Sequence, residues 1–195
     1  LSSALTLAVA GFVLITVYRS SVERAFDDRL SVYLKTLVGS LAEQPDTAAG
    51  LRRPDDLGEP RFELPLSGWY WVVRRIGDDR VVVASQSLTG EVMRLPSDTG
   101  VETGRGRIAR AYLDGPDRQR LRIAERVVDF DGTREYRIAV AGNAGELEAD
   151  VAGFRWRTIF ILALVGLGTV ISAAVQVRLA LAPLERMRRS LHRIR

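Results

Sequence analysis

Two uncharged apolar runs bracket this chain, and hydrocarbon is the solvent that suits both. The first is Leu1–Tyr18, interrupted by Ser2, Ser3, Thr6 and Thr16; the second is Thr158–Val177, whose polar members are Thr158, Thr169, Ser172 and Gln176. A bilayer core takes about 20 mostly apolar residues as a helix, because a helix satisfies its own backbone polar groups there. A soluble helix of that length carries a polar face, and neither run has one. Both are expected to be transmembrane helices, at 1–18 and 158–177. Ala8-Val9-Ala10 has the small-x-small form of a signal-peptide cleavage site, but apolar residues continue through Phe12, Val13, Leu14, Ile15 and Val17, which favours an uncleaved anchor. The run opens on Leu1 rather than Met, so the natural start is expected upstream.

Charge sets the orientation. Six arginines follow the second run (Arg178, Arg186, Arg188, Arg189, Arg193 and Arg195), while Arg155 and Arg157 stand just before it. Lys and Arg beside a span prefer the cytoplasm, so the C-terminus is expected inside and residues 19–157 outside. The net charge of +4 divides accordingly. Residues 19–157 carry 22 Lys plus Arg against 23 Asp plus Glu, and residues 178–195 carry six Arg against Glu185. The basic excess therefore meets the inner leaflet, and membrane lipid rather than nucleic acid is its expected partner.

The 139 residues between the runs suffice for one core. Phe26, Leu30, Tyr33, Leu34, Leu37, Val38 and Leu41 recur at helical steps, so 20–44 is expected to be a long helix ending at Pro45-Asp46. Residues 45–67 hold four prolines and two glycines and read as a loop. Five strands follow, at 69–76, 80–85, 107–113, 119–130 and 134–141. Turns separate them at Gly77-Asp78-Asp79, Asp114–Asp117 and Asp131-Gly132, and residues 86–106 look irregular. Residues 143–156 read as a helix feeding the second span. The fold class is thus α+β: a long N-terminal helix and an antiparallel sheet of about five strands between two transmembrane helices.

Residues 19–157 hold no His, and the chain has no Cys, which removes Ser-His-Asp catalysis, thiolate nucleophiles and ordinary zinc sites. No catalytic or metal residues are assigned and no cofactor is expected within the chain. Gly104-Arg-Gly106 is too short for a phosphate loop, and Asp129-Phe-Asp131-Gly132 lacks the later carboxylates of a calcium loop. Asp27-Asp28 and Asp55-Asp56 are expected to be solvated rather than cation-binding. Trp69, Tyr70 and Trp71, with Arg74 and Arg75 nearby, are the candidate ligand-binding residues, suited to an anionic ligand. Alternation places Trp69 and Trp71 on one sheet face and Tyr70 on the other, and one face must be core. In the spans, Ala4/Ala8 and Gly168/Ser172 have the small-x-x-x-small spacing of close helix approach, which implies a homodimer.

Past the second run, Leu184, Met187, Leu191 and Ile194 are spaced three, four and three, an a/d seam among charged residues. Pro183 is expected to break continuity with the span and start this seam helix. Span, short link, Pro183-Leu184-Glu185-Arg186-Met187, then Leu191 and Ile194, resembles the opening of a HAMP domain. The whole layout resembles the sensory part of a bacterial sensor histidine kinase, with a PAS-like extracytoplasmic domain between two spans.

The resemblance implies a homodimer in the bacterial inner membrane and an unidentified extracytoplasmic ligand. It implies transmission through Pro183, Leu184, Met187, Leu191 and Ile194, and a cognate response regulator as a further partner. It also implies ATP and magnesium for a kinase domain that these residues do not include. The departures are the second HAMP helix and that kinase domain, so 178–195 reads as a truncated first HAMP helix. His192, followed by Arg193-Ile194-Arg195, does not match the family's phosphoacceptor pattern. Two alternatives stay open: a receptor with a cyclase or chemoreceptor-type output, and a two-span anchor that binds an envelope protein without signalling.

Overall fold

The computed structural model describes residues 2–43, 51–54, 57–104, 106–130 and 135–191, with side chains from Leu5 to Leu179. The Asp131-Gly132 turn, Asp55-Asp56, His192 and Ile194 lie outside the described residues. The fold is α+β, with two long apolar helices flanking a five-stranded antiparallel sheet. The elements are α1 (Ser2–Ala42), β1 (Tyr70–Arg75), β2 (Val81–Ala84), β3 (Ile108–Asp114), β4 (Arg120–Asp129), β5 (Glu135–Asn143) and α2 (Ala144–Leu191). The chain divides into two compact units: Leu1–Arg19 with Val151–Arg195, and Ser20–Asp150.

In the unit Ser20–Asp150 the sheet order is β2-β1-β5-β4-β3. β1 and β2 form one hairpin, β3–β4–β5 form a meander, and β1 joins the two by pairing with β5, Trp71 opposite Val140. β4 and β5 pair up to Asp129 opposite Glu135. The link from β2 to β3 is not wholly irregular: it contains 3-10 turns at Gln86–Leu88 and Pro96–Thr99.

Both faces of the sheet are buried. On one, Leu30, Leu34, Leu37 and Leu41 of α1 pack with Trp69, Trp71, Val73, Ala124, Ile138 and Val140. On the other, Leu88, Met93 and Leu95 of the β2–β3 link pack on Tyr70, Val72, Leu121, Ile123, Ala139 and Ala141. The predicted alternation holds, with Trp69 and Trp71 on the helix side and Tyr70 on the link side. Gly142 permits the helix side to close, because a Cβ there would stand 2.7 Å from the Phe26 ring and 3.1 Å from that of Trp69.

In the unit formed by Leu1–Arg19 and Val151–Arg195, α1 and α2 meet through stacked rings of Tyr18 and Phe154, centroids 3.8 Å apart. Gly11 opposes Leu162, and a Cβ at 11 would collide with it. Most of the other described residues there are exposed, Phe12 by 72%, Phe160 by 71% and Val170 by 66%, while Thr158 is buried. Two helices, Leu5–Ala42 and Ala144–Leu179, are long and apolar enough to cross a membrane. Gly168 and Ser172 are exposed and take no part in the Gly11–Leu162 contact.

The expected break at Pro183 is absent, since α2 is one helix from Ala144 to Leu191. A proline inside a helix removes one N–H bond and crowds one carbonyl, a local loss that flanking turns absorb as a kink or a strained turn.

The leucine stripe supplies a stability test. In a fragment spanning residues 20–150, Leu34→Ala should lower the unfolding free energy in urea by about 2–5 kcal/mol. Val32→Ala, on the exposed side of the same helix, should change it by no more than about 0.5 kcal/mol. Equal losses at the two positions would contradict this packing.

Candidate functional site

Trp69 enters β1 from a tight approach: Gly68, at φ +84°, turns the chain, and Ser67 Oγ accepts from the Trp69 backbone N–H at 3.2 Å. The indole is fully buried. Its neighbours Phe26, Tyr33 and Phe62 approach at ring-centroid distances of 5.6, 6.0 and 6.3 Å. Two guanidinium groups lie over the ring system, Arg61 at 4.1 Å and Arg29 at 4.7 Å. Cations over an indole face are attracted by its quadrupole, and more strongly where water is excluded.

Glu59 holds both cations. Its Oε1 accepts from Arg61 Nε at 2.7 Å, and its Oε2 accepts from Arg29 Nη2 at 2.8 Å, Arg61 Nη2 at 2.9 Å and the Tyr33 hydroxyl at 2.8 Å. The carboxylate also caps the 3-10 turn Pro60–Phe62. Its side chain is 7% exposed. Hydrogen bonds from Arg61, aided by Tyr33, hold its pKa at about 2 against burial, which pushes the other way. The same pairing raises the pKa of Arg61. From the first turn of α2, Glu146 accepts from Arg61 Nη1 at 3.1 and 3.2 Å and from Trp69 Nε1 at 3.3 Å. Helix α1, the 59–62 turn, β1 and α2 therefore meet at one indole.

A second polar cluster fastens α1 nearer Ser20. Arg122 of β4 donates to both oxygens of Asp27 at 2.8 Å. Tyr112 of β3 donates to Glu23 at 2.9 Å. Pairing with Asp27 raises the Arg122 pKa, and burial, then the Glu23 bond, raises that of Tyr112. Asp27 thus departs from the solvated position expected of it, because Arg122 projects from the sheet directly against it, while Asp28 is exposed.

On the link side Arg74 is buried. It donates to Asp98 at 3.0 Å and to the Met93 carbonyl, and it pairs more loosely with Asp79. Glu125, wholly buried, accepts from Ser97 N–H and Oγ–H at 2.8 and 2.7 Å. These bonds pin the β2–β3 link to the sheet.

The five candidate ligand residues separate across the sheet. Trp69 and Trp71 lie on the helix side, Tyr70 and Arg74 on the link side, and Arg75 is half-exposed near Asp78. Tyr70 donates to Gln119 at 2.9 Å. Trp71 lines a small cleft of about 40 Å³ with Arg53, Leu57, Glu59, Phe62 and Ser85. Neither Arg74 nor Arg75 reaches that cleft, and its Glu59 has its acceptors engaged. Pro183, Leu184, Met187 and Leu191 belong to α2. Glu59, Arg29, Arg61 and Glu146 carry no local signal in the sequence. A glutamate before proline in a proline-rich stretch suggests a turn cap, not the centre of an ion network.

The sign of the Glu59 shift sets a pH test. Its folded pKa lies below the ordinary 4.5, at about 2, so the ionised form favours the fold. The stability it contributes is complete above about pH 4.5 and is lost as pH falls through about 2. The gap in urea midpoint between the unmodified 20–150 fragment and its Glu59→Gln variant should hold steady down to about pH 4.5 and shrink below it. A gap independent of pH would contradict this assignment.

No protein-family model matches the chain, and no curated protein or solved structure matches it either.

Proposed function

We propose that this chain is the sensory and transmembrane part of a bacterial sensor histidine kinase. The supporting observation is that a closed domain with its own two-sided core, Ser20–Asp150, lies in sequence between two apolar helical segments whose side chains face outward almost all round. Outward-facing Phe12, Phe160 and Val170 have no aqueous rationale at that density, and lipid provides one. Six arginines beyond Val177 favour a cytoplasmic C-terminus and an extracytoplasmic domain. In this reading residues 20–150 detect a stimulus outside the cell, α2 carries the response inward, and the Leu184, Met187, Leu191 and Ile194 seam passes it to a HAMP-like bundle in a homodimer.

The reading asks packed elements to move as bodies, which dense cores favour over continuous deformation. No side chain set in the described domain resembles a catalytic constellation, so any enzymatic step belongs to an output domain. ATP, magnesium and a response regulator enter there.

The seam carries the test. With residues 1–195 fused ahead of a histidine-kinase output, Leu184→Asp and Met187→Asp should each lock or abolish phosphorylation, by roughly tenfold or more. The unfolding midpoint of residues 20–150 should not change. Normal, stimulus-responsive output from both variants would show that the seam transmits nothing.

A further inference from the structure

We propose that Glu146 is a releasable latch, and that α2 rather than α1 is the helix freed to shift against the sheet. The purpose of that shift rests on the receptor reading above; the latch itself rests on an asymmetry in how the two helices are held.

Around Trp69, two carboxylates grip the same arginine unequally. Glu59 is 7% exposed and makes contacts of 2.7–2.9 Å, whereas Glu146 is 46% exposed and its bonds run from 3.1 to 3.3 Å. A half-exposed ion pair is screened by water and salt, so the Glu146 joint is the weaker. Its release leaves no buried charge alone, because Arg61 keeps Glu59 through Nε and Nη2 and keeps its place over the indole. The losses are the two Arg61 Nη1 bonds and the Trp69 Nε1 partner, at a point where the departing carboxylate opens a path for water.

Helix α1 has exposed joints too, such as Arg110 to Ser31 at 3.1 Å and to Asp27 at 3.5 Å, but buried contacts stand behind them. Between Ser20 and Ala42 it commits four buried leucines, the Asp27–Arg122 pair and the Arg29 and Tyr33 bonds to Glu59. The α2 residues of the same unit commit far less. Ala144 and Leu147 are buried, Glu148 pairs at 3.7 Å with an Arg120 that is 61% exposed, and Ala149 and Asp150 face solvent. Helix α1 is bolted to the sheet along its length, whereas α2 is held at its first turns by its direct junction with β5, the Asn143 cap on the Gly145 N–H, Ala144, Leu147 and Glu146, and Glu146 is the polar joint of these that water can exchange.

The chain has no cysteine, so introduced pairs report cleanly. Spin labels at exposed positions Val81 and Asp150 read α2 against the sheet, and labels at Val81 and Val32 read α1 against it. In the full chain in lipid nanodiscs, Glu146→Ala should move or split the 81–150 distance by about 1–2 Å or more and leave the 81–32 distance unchanged. Glu146→Gln, which keeps an acceptor for Trp69, should give a smaller shift. An unchanged 81–150 distance, or both distances moving together, would overturn the proposal, as would cooperative unfolding of the domain in both variants. The distances need no output domain, so a failure here removes the latch and leaves the receptor reading to its own test.

Discussion

The packing of Leu30, Leu34, Leu37 and Leu41 on the sheet is the constraint from which the rest follows. One face of a five-stranded sheet needs a cover, and the covering helix is the continuation of an apolar segment. Helix α1 therefore has two kinds of surface. Upstream it is apolar on all sides, with Phe12 and Val17 exposed; downstream its apolar residues contract to one stripe and its other face carries Asp28 and Lys35. Helix α2 shows the reverse order, with a short polar start at Glu146, Glu148 and Asp150 and then an apolar run from Thr158.

Charge is used inside the domain to fasten rather than to bind. Glu59, Asp27, Glu125 and Asp98 each accept at least two hydrogen bonds, and each ties its own segment to another element. A buried carboxylate is tolerable only when its oxygens are filled, and a filled carboxylate has little left for a ligand. This arrangement sets the relative position of helix, turn and strand around Trp69 more sharply than apolar contact alone, because hydrogen bonds are directional where hydrophobic burial is not.

Much of this was legible in the sequence, and the physical reason is periodicity. The three- and four-residue steps of α1 and the alternation of β1 identify their buried faces, and the strand boundaries fall within a residue or two of those predicted. What was not legible is long-range. Nothing local pairs β1 with β5, since their partners, such as Val73 and Ile138, lie far apart in the chain. The Glu59 network failed to show for the same reason, its four elements being scattered from Arg29 to Glu146. Arg74 was expected to sit beside a pocket and is instead buried against Asp98, because the β2–β3 link folds over that face. Pro183 was expected to separate two helices and stands inside one.

The central claim is that both apolar segments cross a bilayer and leave the sheet domain outside the cell. The most direct measurement is labelling of single cysteines in intact cells with a membrane-impermeant thiol reagent, at Val81 or Val92 in the domain and at Arg188 beyond the second segment. Labelling at 81 and 92, with 188 reacting after lysis alone, is the result expected. Labelling at 188 in intact cells, with 81 and 92 protected, would reverse the orientation and contradict the account.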